Sequence, residues 1–268
     1  MESSITDKTQ KAETQNVFPT DRVKLIERVK LFLSTKDDAS YRSSIAMDQG
    51  SLVDAFGFAS KGKGKAEIVL SEDTAVELGH PSAGSLSMVL MTNRAANIKD
   101  NRITVVGPEV WEMDDQTRYP FAQVILLAID CDTPPDPFEI DRLQFLTNRL
   151  PGYMVRSVPG KLWSRISKKG VKAGINLSAI GSAVINAYKH EFENVKAVEV
   201  LYVTSSKNDI AELEKVKVEE EILSGQHKKL VLGINGEVEC TGLNCDTCAE
   251  KPVCDSLRDI VIKRRKMN

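Results

Sequence analysis

Four cysteines fall within fifteen residues, in the stretch Cys240-Thr-Gly-Leu-Asn-Cys245-Asp-Thr-Cys248-Ala-Glu-Lys-Pro-Val-Cys254, whereas the 239 residues before them contain one, Cys131. Four thiolates this close repel one another unless a cation or cluster neutralises them, so the segment reads as a metal site with a four-thiolate ligand set. Two disulfides or inert thiols are the alternatives. The first residues, MESSITDKTQ, show no apolar core and no cleavage pattern, so nothing directs the chain to an oxidising compartment. The predicted ligands are therefore Cys240, Cys245, Cys248 and Cys254.

The spacing bears on which metal. Structural zinc sites usually set two CxxC knuckles apart, with a strand or helix between them. Here only Cys245 and Cys248 form a knuckle, and Cys240 and Cys254 flank it across four and five residues. Such irregular, close spacing suits a chain wrapped around a larger body, and a [4Fe-4S] cluster is the expected cofactor, with zinc the alternative.

The chain has 268 residues, of which 41% are apolar and 28% charged, enough to bury a substantial core. A formal net charge of −2 gives no general attraction to nucleic acid or an anionic membrane. The basic run Lys263-Arg264-Arg265-Lys266 reads as a solvated helical turn. No apolar run approaches the roughly 18 residues a membrane helix needs. The longest, Val124 to Ile129, has strand length, and a cytoplasmic protein is expected.

Along the chain, residues 1–16 read as a disordered leader, 17–234 as a mixed α/β body, and 235–268 as a hairpin and four-cysteine module with a short terminal helix. Val23, Ile26, Val29 and Leu33 recur at helical spacing. Phe56 to Ala66, with Gly57, Gly62 and Gly64 among lysines, reads as a mobile basic loop lacking any phosphate-loop spacing. Strands are expected at 66–70, 75–78, 85–92, 102–106 and 123–129, all in one sheet. Asp130 to Pro137, rich in Pro and Asp, breaks the chain before a helix at 139–150 that Pro151-Gly152 ends.

Further helices are expected over 162–172 and 177–192, a buried strand over 197–204, and a helix opening at Ser206. Asn235-Gly236 between Leu230–Ile234 and Glu237–Cys240 is a strong hairpin signal that delivers Cys240 at a strand end. The fold class is therefore α/β or α+β, a mixed β-sheet covered by helices, with a small C-terminal four-cysteine metal module.

Other candidates read more plainly. His80 between Gly79 and Pro81 is a turn residue, Trp163 a core anchor and Cys131 structural. Arg165, Lys168 and Lys169, placed on one predicted helical stretch, read first as a solvated face and second, on the family resemblance set out next, as contacts for a coenzyme A phosphate. No Ser-His-Asp or paired-carboxylate arrangement stands out.

Four segments, Asp73 to Ser85, Arg102 to Pro108, Trp163 to Lys168 with Val171 to Gly174, and Val198 to Thr204, taken in order, resemble the β-subunit family of the CO dehydrogenase/acetyl-CoA synthase complex. The resemblance implies the mixed α/β domain beside that family's nickel–iron–sulfur A-cluster. There a four-iron cubane, linked through a cysteine sulfur to two nickels, joins a corrinoid-borne methyl group, CO and coenzyme A into acetyl-CoA. Cys245, Cys248 and Cys254 are similar to the family's CxxC and following cysteine, with a shorter last gap, and Cys240 stands upstream of where its fourth ligand would lie.

The departures matter. The family holds its distal nickel in a square-planar Cys-Gly-Cys set, which this sequence lacks, and it ends fourteen residues after Cys254. The large N-terminal region of the family is not matched either. Nickel is therefore not expected from this chain alone. The first expectation is an accessory, electron-transfer or docking component with a protein partner in one-carbon or corrinoid metabolism. A zinc-stapled, non-catalytic binding module and a transferase completed by a partner chain are the other two.

Overall fold

In a computed structural model, residues 20–58, 67–114, 117–130, 149–158 and 160–223 are described, with the single positions 143 and 147 and the strand backbone of 230–232 and 238–240. In chain order the elements are α1 (Thr20–Ser34), β1 (Tyr41–Ile45), α2 (Gln49–Phe56), β2 (Thr74–Leu78), β3 (Ser85–Thr92), β4 (Arg102–Val106), β5 (Arg118–Tyr119) and β6 (Phe121–Ile129). There follow β7 (Tyr153–Val158), β8 (Lys161–Ser167), α3 (Lys168–Lys172), α4 (Leu177–Glu191), β9 (Val195–Val203), α5 (Lys207–Leu223), β10 (Leu230–Leu232) and β11 (Val238–Cys240).

The predicted single sheet is in fact two. A five-stranded mixed sheet runs β1-β4-β9-β6-β3, and a four-stranded one runs β5-β2-β8-β7. Strand β6 shows why the first sheet is central: all nine of its residues are buried. Phe121, Ile125, Leu127 and Ile129 face one core, and Ala122, Val124, Leu126 and Ala128 face the other. Such two-sided burial is what a near-continuous apolar run encodes.

One face is covered by α1 and α5, through Leu25, Ile26, Val29, Ile210 and Leu213. The opposite face packs against α4 and the inner side of the four-stranded sheet, through Ile180, Val184, Val76, Val155 and Ile166. The α-helical period of α1 and α4 and the period-2 pattern of the strands therefore point to the same layered core.

Strand β2 leaves the predicted sheet because it pairs antiparallel with β8, Glu77 opposite Arg165, and parallel with β5, Glu77 opposite Arg118. The helix expected over 162–172 is also corrected. Leu162, Ser164 and Ile166 alternate inward and pair with β7 and β2, so the stretch is a strand up to Ser167. Ser167 then caps the short helix α3 by accepting from the Gly170 N–H at 2.9 Å. The strand expected at 66–70 is absent from its described part, 67–70, where Val69 alone is buried and turn bonds from Asp73 N–H to Leu70 O and Thr74 N–H to Ser71 O take over.

Most other expected elements lie where the sequence puts them, whereas β1, α2, β5 and β7 were not anticipated. Strands β3 and β4 have the predicted bounds, and α1, α4 and β9 differ by one to three residues at an end. Gly57 takes a left-handed conformation, φ 67°, as the C-cap of α2, and the glycine-rich stretch beyond residue 58 lies outside the described residues. The hairpin is an antiparallel pair with Leu230 opposite Cys240. Its turn residues, the expected leader, Cys131, most of the helix expected at 139–150 and the terminal helix lie outside the described residues. Among the described residues, no helix is long and apolar enough to cross a membrane.

Candidate functional site

Of the predicted metal ligands, Cys240 closes β11, while its side chain and Cys245, Cys248 and Cys254 lie outside the described residues. Among the described residues, no cluster of three or more His, Cys, Asp or Glu side chains is arranged to hold a metal. The three cationic candidates are separated by secondary structure: Arg165 stands on β8, and Lys168 and Lys169 open α3, both exposed.

Arg165 belongs to a polar row that crosses three strands. Registers align Arg118 of β5, Glu77 of β2 and Arg165 of β8 side by side. Glu77 Oε2 accepts from Arg118 Nε at 2.8 Å, and Glu77 Oε1 accepts from Arg165 Nε at 3.1 Å and from the Trp163 indole N–H at 3.1 Å. The Arg165 guanidinium also lies over the Trp163 ring, 4.6 Å from its centroid. Trp163, expected in the core, is instead half-buried on this outer row. Burial opposes ionisation of Glu77, yet the Arg118, Arg165 and Trp163 hydrogen bonds together prevail and hold its carboxyl below the usual glutamate range.

Beside this row is a polar cleft of about 700 Å³, lined by Ser71, Glu72, Thr74, Glu77, Arg118 and Arg165. Two guanidiniums there face two carboxylates. Lys168, whose Nζ donates to the Glu72 carbonyl at 2.9 Å, and the neighbouring Lys169 add positive charge nearby. The arrangement can hold an anion through planar guanidinium contacts, with Glu77 fixing the orientation of both guanidiniums through their Nε atoms.

Next to it, between the turn after β2 and the β7–β8 hairpin, is a mainly apolar cleft of about 470 Å³ to which Trp163 also contributes. The turn is built as expected for His80: its Nδ1 lies 2.8 Å from Ser82 Oγ, and its carbonyl accepts from the Ala83 and Gly84 N–H groups. Gly79 enters that turn at φ +69°, and a Cβ there would stand 2.1 Å from the Leu162 carbonyl oxygen.

Sequence reasoning did not find Glu77, Arg118 or the buried Glu109. Glu109, fully buried in the loop after β4, accepts through Oε1 from Val110 N–H at 2.9 Å and Leu177 N–H at 2.6 Å, so it fixes the start of α4. Its Oε2 and the Tyr202 hydroxyl, both buried, have no hydrogen-bond partner among the described residues. Burial pushes the Glu109 carboxyl up, against those two backbone hydrogen bonds and the Arg42 charge. The signal for Glu77 was the alternation of Trp163 and Arg165, which marks one strand face once the helical reading is dropped.

The family model for the CO dehydrogenase/acetyl-CoA synthase complex beta subunit matches residues 58–209. That range contains both clefts and stops before Cys240. The acetyl-CoA decarbonylase/synthase complex subunit beta of Archaeoglobus fulgidus is 29% identical over 142 residues, 52% of this chain and 27% of the relative. That of Methanopyrus kandleri is 29% identical over 142 residues, 52% of this chain and 30% of the relative. Subunit beta 1 of Methanocaldococcus jannaschii is 27% identical over 156 residues, 57% of this chain and 20% of the relative. The matched stretch thus spans less than a third of each of these relatives.

Proposed function

Because this chain belongs to the CO dehydrogenase/acetyl-CoA synthase complex beta subunit family, we propose that it serves one-carbon metabolism as an accessory, electron-transfer or docking component of such a complex. The family match over residues 58–209 carries this reading, since it encloses the polar cleft of Glu77, Arg118 and Arg165. In that cleft the anionic end of coenzyme A would meet Arg118 and Arg165, with Lys168 and Lys169 beside them. Glu77 would hold Arg165 in place rather than touch the coenzyme.

Cys240, Cys245, Cys248 and Cys254 would hold a [4Fe-4S] cluster, which supplies one-electron transfer when bound. The support is their chemistry: four soft thiolates, two of them in a CxxC knuckle, with the hairpin backbone bringing Cys240 to a strand end opposite Leu230. No nickel-binding Cys-Gly-Cys occurs in this sequence, so condensation of methyl and CO is not assigned to this chain alone.

Oxygen-free purification followed by iron, zinc and nickel analysis tests the cofactor. About four irons per chain with oxygen-labile absorbance is the expected result. Colourless protein with one zinc would replace this reading with a zinc-stapled binding module, and nickel retained only with a co-purified partner would favour a transferase shared between chains. Equilibrium dialysis with coenzyme A tests the cleft: Arg118→Gln and the double variant Lys168→Gln/Lys169→Gln should both weaken binding, and unchanged binding would remove it.

A further inference from the structure

The apolar cleft beside Trp163 is built differently from the polar one. Pro81, Val158 and Trp163 supply apolar surface, Arg156 and Lys161 supply cations, and no carboxylate is among its lining residues. Its volume, about 470 Å³, is in the range of small-ligand sites. Val158 is 64% exposed, so its side chain is available to an apolar ligand in the cleft.

The two cations differ. Register sets Arg156 of β7 directly opposite Trp163 of β8, so a guanidinium and an indole share one end of the cleft. Arg156 is exposed, and its guanidinium makes one long contact, 3.4 Å to the Val155 carbonyl, with no carboxylate partner among the described residues. Lys161 pairs with Glu214 at 2.8 Å, both side chains about half exposed, an interaction of little net strength. One unpaired cation over an apolar floor matches one negative charge on an apolar body.

We propose that this cleft binds a small amphiphilic monoanion, an aliphatic or aromatic carboxylate, with its apolar body against Pro81, Val158 and Trp163 and its carboxylate at Arg156. Arg156 supplies a planar, bidentate donor pair suited to a carboxylate. Lys161 shifts between Glu214 and the ligand. The site is separate from the coenzyme cleft on the other side of the Glu77 row, and it does not depend on the family assignment.

The probes are 1-anilinonaphthalene-8-sulfonate, octanoate and 1-octanol, used on the full chain carrying Trp111→Phe so that Trp163 is the one tryptophan left of the two. Octanoate should displace the fluorescent sulfonate with one site per chain and change Trp163 emission. Arg156→Gln should weaken octanoate about tenfold while leaving 1-octanol nearly unchanged, because it removes a charge-assisted contact only. Val158→Asp should abolish binding of both.

Any of three results would overturn the inference: octanoate no tighter than 1-octanol, full affinity in Arg156→Gln, or displacement of octanoate by coenzyme A. The last would assign the cleft to the coenzyme, whereas failure of coenzyme A to bind anywhere leaves the octanoate result intact. Arg156 and Val158 are both exposed, so the variants should unfold at the wild-type midpoint, and a urea titration of each checks this.

Discussion

Replacing Glu77 with Gln keeps the shape of the side chain and removes its charge at the centre of the Arg118–Glu77–Arg165 row. Each hydrogen bond from a charged donor contributes about 1.5–3 kcal/mol, and the indole bond about 1 kcal/mol. The contributions do not simply add. Arg118 is 53% exposed and regains water when released, whereas Arg165 is 20% exposed and loses a partner it cannot replace. The Gln amide must also point its N–H₂ at one set of donors. The expected cost is about 2–3 kcal/mol, below the roughly 3–5 kcal/mol of breaking a fully buried pair.

Urea unfolding at pH 7, followed by circular dichroism, measures this as a lower midpoint with an unchanged slope. The pH dependence gives a second check. The folded carboxyl of Glu77 lies below its ordinary value, so its stabilisation is complete above the unfolded pKa and is lost as pH falls through the folded one. The gap between wild type and Glu77→Gln should therefore shrink on acidification. A gap under about 0.5 kcal/mol at pH 7, or one that widens in acid, would refute the assignment of Glu77 as the anchor of the row.

Three further outcomes follow from buried groups. Glu109→Gln should be neutral or stabilising by up to about 1–2 kcal/mol at pH 7, since the neutral amide keeps an oxygen for the Val110 and Leu177 N–H groups. The wild-type carboxyl is raised, so its favourable state is fully present below the unfolded pKa and is lost as pH rises through the folded one; urea midpoints from pH 4 to 8 should decline in wild type relative to the variant. Tyr202→Phe should stabilise by about 1 kcal/mol, because it removes an unpartnered buried hydroxyl and keeps the stack on Phe121, 5.5 Å between centroids; a lower thermal midpoint would count against this. Gly79→Ala should cost about 2–5 kcal/mol, from a left-handed φ and a Cβ 2.1 Å from the Leu162 carbonyl, and a wild-type midpoint would contradict it.

The elements that could be read from sequence are those whose local pattern and tertiary role coincide. Strand β6 reads as a buried strand because it is apolar on both faces, and α4 because Ile180, Val184, Ile185 and Tyr188 recur with the helical period. The stretch Leu162 to Lys172 misled because lysines and arginine suit a helix surface, while pairing with β7 and β2 decides the matter, and sequence spacing does not carry pairing. Likewise β1, at the edge of its sheet with Arg42 and Ser43 exposed, has no apolar run to announce it. The Glu77 row was invisible for the same reason: Arg118, Glu77 and Arg165 are 41 and 88 residues apart and meet only through strand register.

Glu77 and Glu109 show how the fold distributes charge around the site. Both carboxyls are nearly inaccessible, at 7% and 0% exposure, so burial alone would push both upward. Glu77 receives three donors on its two oxygens, two of them guanidiniums, and is held ionised. Glu109 receives two backbone N–H groups on one oxygen, has nothing on the other among the described residues, and feels Glu112 as well as Arg42. The number and charge of converging donors therefore decide the direction of the shift, not depth. An ionised Glu77 is what keeps the Arg165 guanidinium fixed over Trp163 and oriented along the cleft wall, while Glu109, its carboxyl pushed up by burial, fixes the start of α4 through the Val110 and Leu177 N–H groups. On the outer face of the four-stranded sheet, Arg118 and Arg165 each spend their Nε on Glu77, which leaves their terminal N–H groups as the ones that can meet an anion in the cleft.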